Sequence, residues 1–247
     1  MVAKLLEICV DTIADLDVAI QGGADRIELC SALALGGLTP SAGFAHLAVE
    51  HARPSSTRIH AMVRPRAGDF AYDESELDMA IAEGLALIAS GVDGLVFGAA
   101  RSGTLDDALM TKWCEAMRAE RADIALTLHR AIDLTGDPVV AVDRAVALGF
   151  SRILTSGGAG KALDALPILA AMQARAAGRI IILPGSGIRA ENVATVLDAT
   201  GAIEVHASAS EQAQDVDPKA LALGFANGPG RRTSLAEVRA LREALDR

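Results

Sequence analysis

The chain has 247 residues, of which 51% are hydrophobic, 22% charged and 3% aromatic, and its formal net charge is −9. This composition supplies ample apolar surface for a core and excludes the disordered and fibrous classes. The negative balance argues against nucleic acid and membrane surfaces as partners, because both attract clustered lysine and arginine. Lys4, Glu7 and Asp11 interrupt the N-terminal apolar segment, and three scattered cysteines fit a reducing compartment. We therefore expect a cytoplasmic protein without a signal or membrane segment.

Short apolar runs alternate along the chain with alanine-rich segments of helical periodicity. The predicted strands are 5–10, 26–30, 58–64, 92–97, 124–129, 152–155, 179–183 and 203–206. The predicted helices between them include 75–90, 106–121, 138–148, 163–177 and 190–199. This alternation predicts a single α/β domain over 1–247, a (β/α)8 TIM-type barrel of parallel strands and outer helices. An open doubly wound sheet is the alternative, which the lack of GxGxxG after the first strand disfavours.

Polar residues at the predicted helix starts indicate where the helices begin. Three aspartates, Asp11, Asp73 and Asp137, are placed to accept hydrogen bonds from unpaired backbone N–H groups. In the C-terminal segment 211–247, Ser234 and Glu237 predict a capping box for a last helix over 234–245. That helix closes the barrel floor or docks on a second subunit.

Alternate side chains of a barrel strand face the lumen and the helices. If the apolar face of each strand packs on the helices, the lumen receives a polar set: Glu7, Glu28, Arg64, His129, Glu204 and His206. One interpretation is a purely structural ion-pair network. We favour a functional mouth, because several of these groups lie at the carboxyl ends of strands, where barrel active sites are built. The candidate catalytic residues are Glu7, Glu28, Arg64, His129 and His206.

Loops at the same end of the barrel favour binding of a small anion. Loops after strands 7 and 8 commonly hold phosphate, and the glycine-rich turn after strand 6 adds backbone N–H donors. Glycine-rich turns also simply close barrel loops tightly. The candidate anion-binding residues are Arg66, Arg130, Ser156, Gly157, Gly185, Gly187 and Ser208.

Two cysteines share the lumen-facing parity of adjacent strands. Cys9 and Cys30 would suit Cu(I) or Zn(II) as thiolate ligands, and Met62 would add a thioether. Buried cysteine also serves as a small apolar filler, and the residues alone favour that interpretation for both. Cys114, on a predicted helix, is interpreted as filler in the same way.

Long motifs occur in a fixed order over residues 5–210. They are LEICVD (6–11), GGADRIELCSAL (22–33), GGLTPSAG (36–43), MVRPRAGDFAY (62–72), GVDGLVFGA (91–99), LHRAID (128–133), RILTSGG (152–158), RIIILPGSGI (179–188) and EVHASAS (204–210). These motifs resemble the CutC family, which is named for copper homeostasis. The resemblance implies a cytoplasmic (β/α)8 barrel that forms homodimers or higher homo-oligomers and handles copper, with Cys9 and Cys30 as the Cu(I) ligands. Two departures are Ala207 and Ser210, where the family usually has cysteine and arginine.

Two functions follow as hypotheses. The first is a copper homeostasis protein that binds Cu(I). The alternative is an enzyme of lyase or isomerase type that acts on a small anionic metabolite, phosphorylated or not, at the barrel mouth. No lysine lies at the carboxyl end of a predicted strand, which disfavours a Schiff-base aldolase, and no organic cofactor is predicted.

Overall fold

A computed structural model describes residues 4–213, 216–225 and 228–247 of the chain. Eight strands of these residues form one parallel sheet: β1 Leu5–Val10, β2 Arg26–Leu29, β3 Arg58–Met62, β4 Gly94–Phe97, β5 Ala125–Leu128, β6 Arg152–Thr155, β7 Ile181–Pro184 and β8 Glu204–Ala207. Their order in the sheet is β8-β1-β2-β3-β4-β5-β6-β7. The sheet curves until its two edges meet, since a Cβ built on Gly185 after β7 would lie 3.3 Å from the Cβ of His206 in β8. The predicted barrel is confirmed.

Helices surround the barrel. They are α1 Ile13–Gly22, α2 Ala42–Ala52, α3 Glu74–Ala89, α4 Asp107–Glu120, α5 Pro138–Ala147, α6 Leu166–Ala176, α7 Val193–Thr200, α8 Pro218–Ala222 and α9 Leu235–Leu245. The last helix, α9, packs against α1, α7 and β1. Among the described helices, none has the length and hydropathy needed to cross a bilayer.

Two of the predicted aspartate caps are confirmed. Asp73 accepts a hydrogen bond from the N–H of Glu76, whose side chain accepts one from the N–H of Asp73, so that α3 begins with a capping box. Asp137 accepts from the N–H groups of Val139 and Val140 at the start of α5. Both carboxylates satisfy donors that have no partner within the helix.

The other predicted caps are wrong. Thr12, one residue after Asp11, caps α1, while the Asp11 carboxylate accepts the N–H of Leu33 at 3.0 Å and so ties down the loop after β2. Ser234 precedes α9, but its side chain makes no capping bond. Glu237 instead accepts the N–H of Ala190 at 3.4 Å, which links α9 to the segment before α7.

The two faces of each strand differ as the alternation predicts. Leu6 and Ile8 of β1 and Ile27 of β2 are fully buried and pack among the helices. Glu7 and Arg26, at the alternate positions, are buried in the lumen with exposed fractions of 1% and 2%. The barrel therefore has an apolar outer layer and a polar interior.

Candidate functional site

The part of the lumen near the amino ends of the strands holds a buried ion-pair network. The Arg26 guanidinium pairs with Glu7 through Nε and with Glu204 through Nη2, the latter at 2.7 Å. Arg152 adds a second cation, with its Nε 3.0 Å from the same Glu204 oxygen. Buried carboxylates need such partners, because an isolated charge in the interior is expensive. This layer fits the structural interpretation of the polar lumen.

Strand register explains why these residues meet. Glu7 of β1 has Arg26 of β2 on one side and His206 of β8 on the other as its Cα partners. Burial alone would raise the pKa of Glu7, but the Arg26 guanidinium and the hydrogen bond to His206 hold it well below its usual range. Glu7 is therefore an ionised acceptor that connects the network to the layer above.

His206 lies in the next layer, toward the carboxyl ends of the strands, and its ring orientation is fixed. Its Nδ1 lies 2.7 Å from Oε1 of Glu7, and because an ionised carboxylate only accepts, Nδ1 carries a proton. The other ring nitrogen, Nε2, lies 3.9 Å from Oε2 of Glu28. Burial lowers the pKa of His206, but Glu28, Cys9 and the bond to Glu7 together raise it well above its usual value.

A potential metal-ligand group lies at this level. One ligand atom each from Cys9, Glu28 and His206 lies within 4.8 Å of the other two. In the register, Cys9 of β1 stands directly opposite Glu28 of β2, and β8 brings in His206 from the other side. Oε1 of Glu28 is buried with no hydrogen-bond partner among residues 4–213, 216–225 and 228–247, and burial raises the pKa of this carboxyl. Thiol, imidazole and carboxyl thus converge from three neighbouring strands.

Cys30 lies beside this group rather than within it. Because Cys9 is paired with Glu28, Cys30 is displaced by two residues along β2. Its thiol is fully buried, contacts Met62 and Val96, and lies 3.6 Å from Oε2 of Glu28. Burial raises the pKa of the Cys30 thiol well above its ordinary value. Cys114 is also buried, on α4 in the outer apolar layer.

Arg64 follows β3 and holds the loops that rim the mouth. Its Nη1 donates to the carbonyl oxygens of Leu35 and Gly37, and its Nη2 donates to that of Gly68. The guanidinium also lies over the ring of Phe70, 5.0 Å from the centroid. Only 6% of Arg64 is exposed, so a full positive charge is buried near the mouth.

His129, directly after β5, also contacts Phe70, with the two ring centroids 4.6 Å apart. Its Nδ1 accepts the N–H of Ala131 at 3.1 Å, which leaves the proton on Nε2 when the ring is neutral. Burial and the Arg64 charge lower the pKa of His129 to about 3. Nε2 is buried, and none of the described residues bonds to it.

A cavity of about 560 Å³ at the carboxyl ends of the strands joins these groups. That volume is typical of a small-molecule site and exceeds what a single ion needs. Its lining includes Cys9, Glu28, Met62, Arg64, Phe70, His129, Arg130, Gly187, His206 and Ser208. Of the five candidate catalytic residues, only Glu7 lies below this lining.

Part of the predicted anion-binding set is already bonded within the chain. Asp133 accepts the N–H groups of Ser156 and Gly158, and it also pairs with Arg130 at 2.8 Å. The N–H of Gly157 bonds to Oγ1 of Thr155. The Asp133 carboxylate therefore occupies the position that an external anion would have taken in the turn after β6.

Of the other predicted anion-binding residues, some line the cavity and some do not. Gly187 and Ser208 line the cavity, whereas the N–H of Gly185 bonds to the carbonyl oxygen of Thr155. Arg66 lies outside the cavity lining and pairs with Glu76.

A cation also reaches Ser210. Arg231, on the short strand Arg231–Thr233, donates from Nε to the Ser210 hydroxyl at 2.9 Å. A guanidinium distant in sequence thus stands beside the position where the family usually has arginine.

Sequence reasoning missed several residues that build the site. Arg26 and His60 have the lumen-facing parity of Glu28, so their parity was a usable signal. A ring in the lumen needs room, and Gly94 provides it, since a Cβ there would lie 2.7 Å from the His60 ring. Phe70 lies in a loop and Asp133 in the short 3-10 helix Arg130–Leu134, and no strand periodicity predicts where such residues point.

Together, fold and site define a (β/α)8 barrel whose mouth offers thiol, imidazole and carboxyl groups beside a buried arginine. The chain belongs to the CutC family, whose model matches residues 4–211. A CutC family protein of Sinorhizobium medicae is 46% identical over 243 residues, which cover 98% of this chain and 96% of that protein. The human copper homeostasis protein cutC homolog is 40% identical over 206 residues, 83% of this chain and 73% of the human one.

Comparison with solved structures supports the same family and the same fold. A crystal structure of the CutC protein from Streptococcus agalactiae superposes with a TM-score of 0.78 at 30% identity, covering 83% of this chain and 98% of the other. Phosphoribosyl anthranilate isomerase from Thermotoga maritima gives 0.57 at 14% identity over 98% of both chains. That second likeness shows the barrel fold alone.

Proposed function

We propose that this protein binds Cu(I) at the barrel mouth and serves copper homeostasis. The convergence of Cys9, Glu28 and His206 within 4.8 Å supports this proposal most directly. The name of the human relative points to the same role. Copper is then the cargo of the protein rather than a resident cofactor.

The donor set fits a soft ion. A thiolate from Cys9 and the imidazole Nε2 of His206 are ligands that Cu(I) accepts well. Both residues line the cavity, and on metal binding the Cys9 thiol and the raised-pKa ring of His206 each release a proton to solvent through it. The hydrogen bond from His206 Nδ1 to Glu7 fixes the ring and leaves Nε2 facing the group, as outer-shell carboxylates do for metal-binding histidines. Glu28 is a harder ligand, and we assign it the role of accepting the proton of the Cys30 thiol, which bonds to it.

Cys30 takes part in this proposal through Glu28. Its thiol donates to the Glu28 carboxyl at 3.6 Å, so that loss of the thiol proton to Glu28 would create a second thiolate beside Cys9. A two-thiolate site needs that proton transfer, since burial keeps the pKa of Cys30 high. We therefore expect Cys9, which lines the cavity, to bind the metal first. Cys30 becomes a ligand only after its thiol has lost the proton to Glu28.

A competitive Cu(I) titration against a chromophoric chelator tests the copper site. Cys9→Ser is expected to lose more affinity than the ~10–100-fold typical of removing the hydrogen-bond partner of a ligand. Cys114→Ser, which changes a buried thiol on α4, is the matched control and should bind as the wild type does. Equal affinity of the Cys9 variant and the wild type would refute the copper site.

The cytoplasmic location and the self-association expected from the resemblance belong to this proposal as well. Sedimentation of the purified protein tests the second point directly. We expect a dimer or larger assembly, and a species with the mass of one chain at micromolar concentration would contradict it.

One observation favours a second function, catalysis on a small anionic metabolite. The cavity is larger than an ion requires, and buried polar atoms of Glu28, Arg64 and His129 around it have no hydrogen-bond partner. A thermal-shift screen with phosphorylated sugars and carboxylic acids tests whether it takes such a ligand, because a ligand that binds only the folded state raises the melting temperature. Failure of every anion to stabilise the protein would rule this function out.

A further inference from the structure

One positive charge in the mouth has no negative partner among the residues that the structure describes. Arg64 is bonded to carbonyl oxygens, and no carboxylate of the described residues lies within 4.0 Å of its guanidinium. Arg130, the other arginine in the cavity lining, is neutralised by Asp133. A buried cation without a counter-charge is costly, and such a site gains free energy when an anion binds.

A hydrogen-bond donor without an acceptor accompanies this charge. The neutral ring of His129 carries its proton on Nε2, because Nδ1 accepts the N–H of Ala131. Nε2 is buried and has no partner in the described part of the chain, whereas buried donors in proteins are nearly always bonded. A ligand oxygen is the natural acceptor for this N–H group.

The two residues border the same cavity. Arg64 and His129 both contact the ring of Phe70, and all three residues line the cavity of about 560 Å³. Between them they offer one positive charge and one neutral N–H donor. A carboxylate matches that pair in charge, whereas a phosphate dianion would leave one negative charge uncompensated.

We propose that the mouth binds the carboxylate group of a small organic acid between Arg64 and Nε2 of His129. This inference deepens the second candidate function, since it names the class of ligand, and it does not depend on copper. The acid lies with its remaining atoms toward Cys9, Glu28 and His206, which line the same cavity. Those residues are then the groups available to act on it.

The inference is tested by titrating the metal-free protein with short mono- and dicarboxylic acids and following its melting temperature. Each acid is compared with the phosphate monoester of matched chain length. We expect saturable stabilisation by at least one acid and a weaker effect of its phosphate counterpart. Stabilisation by phosphates alone, or by no acid, would overturn it. Since a chelator keeps the protein free of metal, such a failure leaves the copper titration unaffected.

Variants locate the site. For an acid that binds, His129→Phe, which removes the donor but keeps an aromatic ring against Phe70, should weaken affinity at least about tenfold. Arg64→Gln should abolish binding, and Arg66→Gln is its matched control, because Arg66 lies outside the cavity lining and pairs with Glu76. The loops that Arg64 holds make its variant the more fragile one, so circular dichroism must show a folded protein. Wild-type affinity in His129→Phe would place the acid elsewhere.

Discussion

Arg26 and Arg58 are Cα partners on the neighbouring strands β2 and β3, yet one side chain is buried and the other is exposed to solvent. Arg26 is 2% exposed and pairs with two buried carboxylates, whereas the Arg58 side chain is 70% exposed and pairs with Asp93 at the surface. Removing one partner from a buried network leaves uncompensated charge, which costs about 3–5 kcal/mol.

We therefore expect Arg26→Met to lower the free energy of unfolding by about 3–5 kcal/mol and Arg58→Met by less than about 1 kcal/mol. Urea unfolding of the two variants beside the wild type measures the difference. Similar losses for both would show that the lumen tolerates unpaired carboxylates.

His206 depends on Glu7 for its orientation, and this dependence separates metal binding from stability. Glu7→Gln should weaken Cu(I) binding by about 10–100-fold, because the ring loses the carboxylate that fixes its tautomer. Glu204→Gln is the control: Glu204 bonds to Arg26 and Arg152 but not to His206. Both variants should be less stable, and an equal loss of Cu(I) affinity in both would contradict the assigned role of Glu7.

At the level of elements, two helical glycines distinguish close packing from open space. A Cβ on Gly22, at the end of α1, would overlap the side chain of Val238 in α9, so this glycine lets the last helix pack against the barrel. A Cβ on Gly43, in the first turn of α2, would meet nothing within 4 Å.

Gly22→Ala is expected to destabilise the protein by about 1–3 kcal/mol through overpacking. Gly43→Ala should stabilise it by about 0.4–1 kcal/mol, since alanine has less backbone entropy to lose. Thermal melts of the two variants measure both effects. An unchanged melting temperature for Gly22→Ala would mean that α9 moves aside without cost.

The elements were largely predictable from the sequence, and their contacts were not. Alternation within β1 and β2 placed Glu7, Cys9 and Glu28 in the lumen, because a two-residue period needs no knowledge of neighbouring strands. Which residues stand opposite each other depends on the stagger of the closed barrel, so the pairing of Cys9 with Glu28 instead of Cys30 was out of reach. Asp133, whose carboxylate binds the turn after β6, lies in the short 3-10 helix Arg130–Leu134 after β5, and no local pattern indicates that this helix reaches the neighbouring turn.

For the whole molecule, buried histidines determine how stability depends on pH. Burial lowers the pKa of His60 and of His129 to about 3, whereas the unfolded chain binds these protons near pH 6.5. Between these values the unfolded state holds more protons, so stability falls as the pH falls. His206 has a raised pKa and acts in the opposite direction: its contribution is complete below pH 6.5 and is lost at higher pH.

His60 and His129 should each remove about 1.2 kcal/mol of stability as the pH falls from 6 to 5. His60→Gln is expected to remove one such contribution, and His46→Gln, which changes an exposed histidine on α2, should leave the slope as it is. Urea unfolding at the two pH values measures this. A slope that His60→Gln leaves unchanged would mean that His60 is protonated in the folded protein.

The metal proposed between strands β8, β1 and β2 can be observed directly. X-ray diffraction at the copper absorption edge, from crystals of the Cu(I)-loaded protein, locates every bound copper ion. We expect one strong anomalous peak within bonding distance of the Cys9 Sγ and the His206 Nε2. Copper found only at surface sites, with the lumen thiols and imidazole unligated, would contradict the proposed role of the mouth.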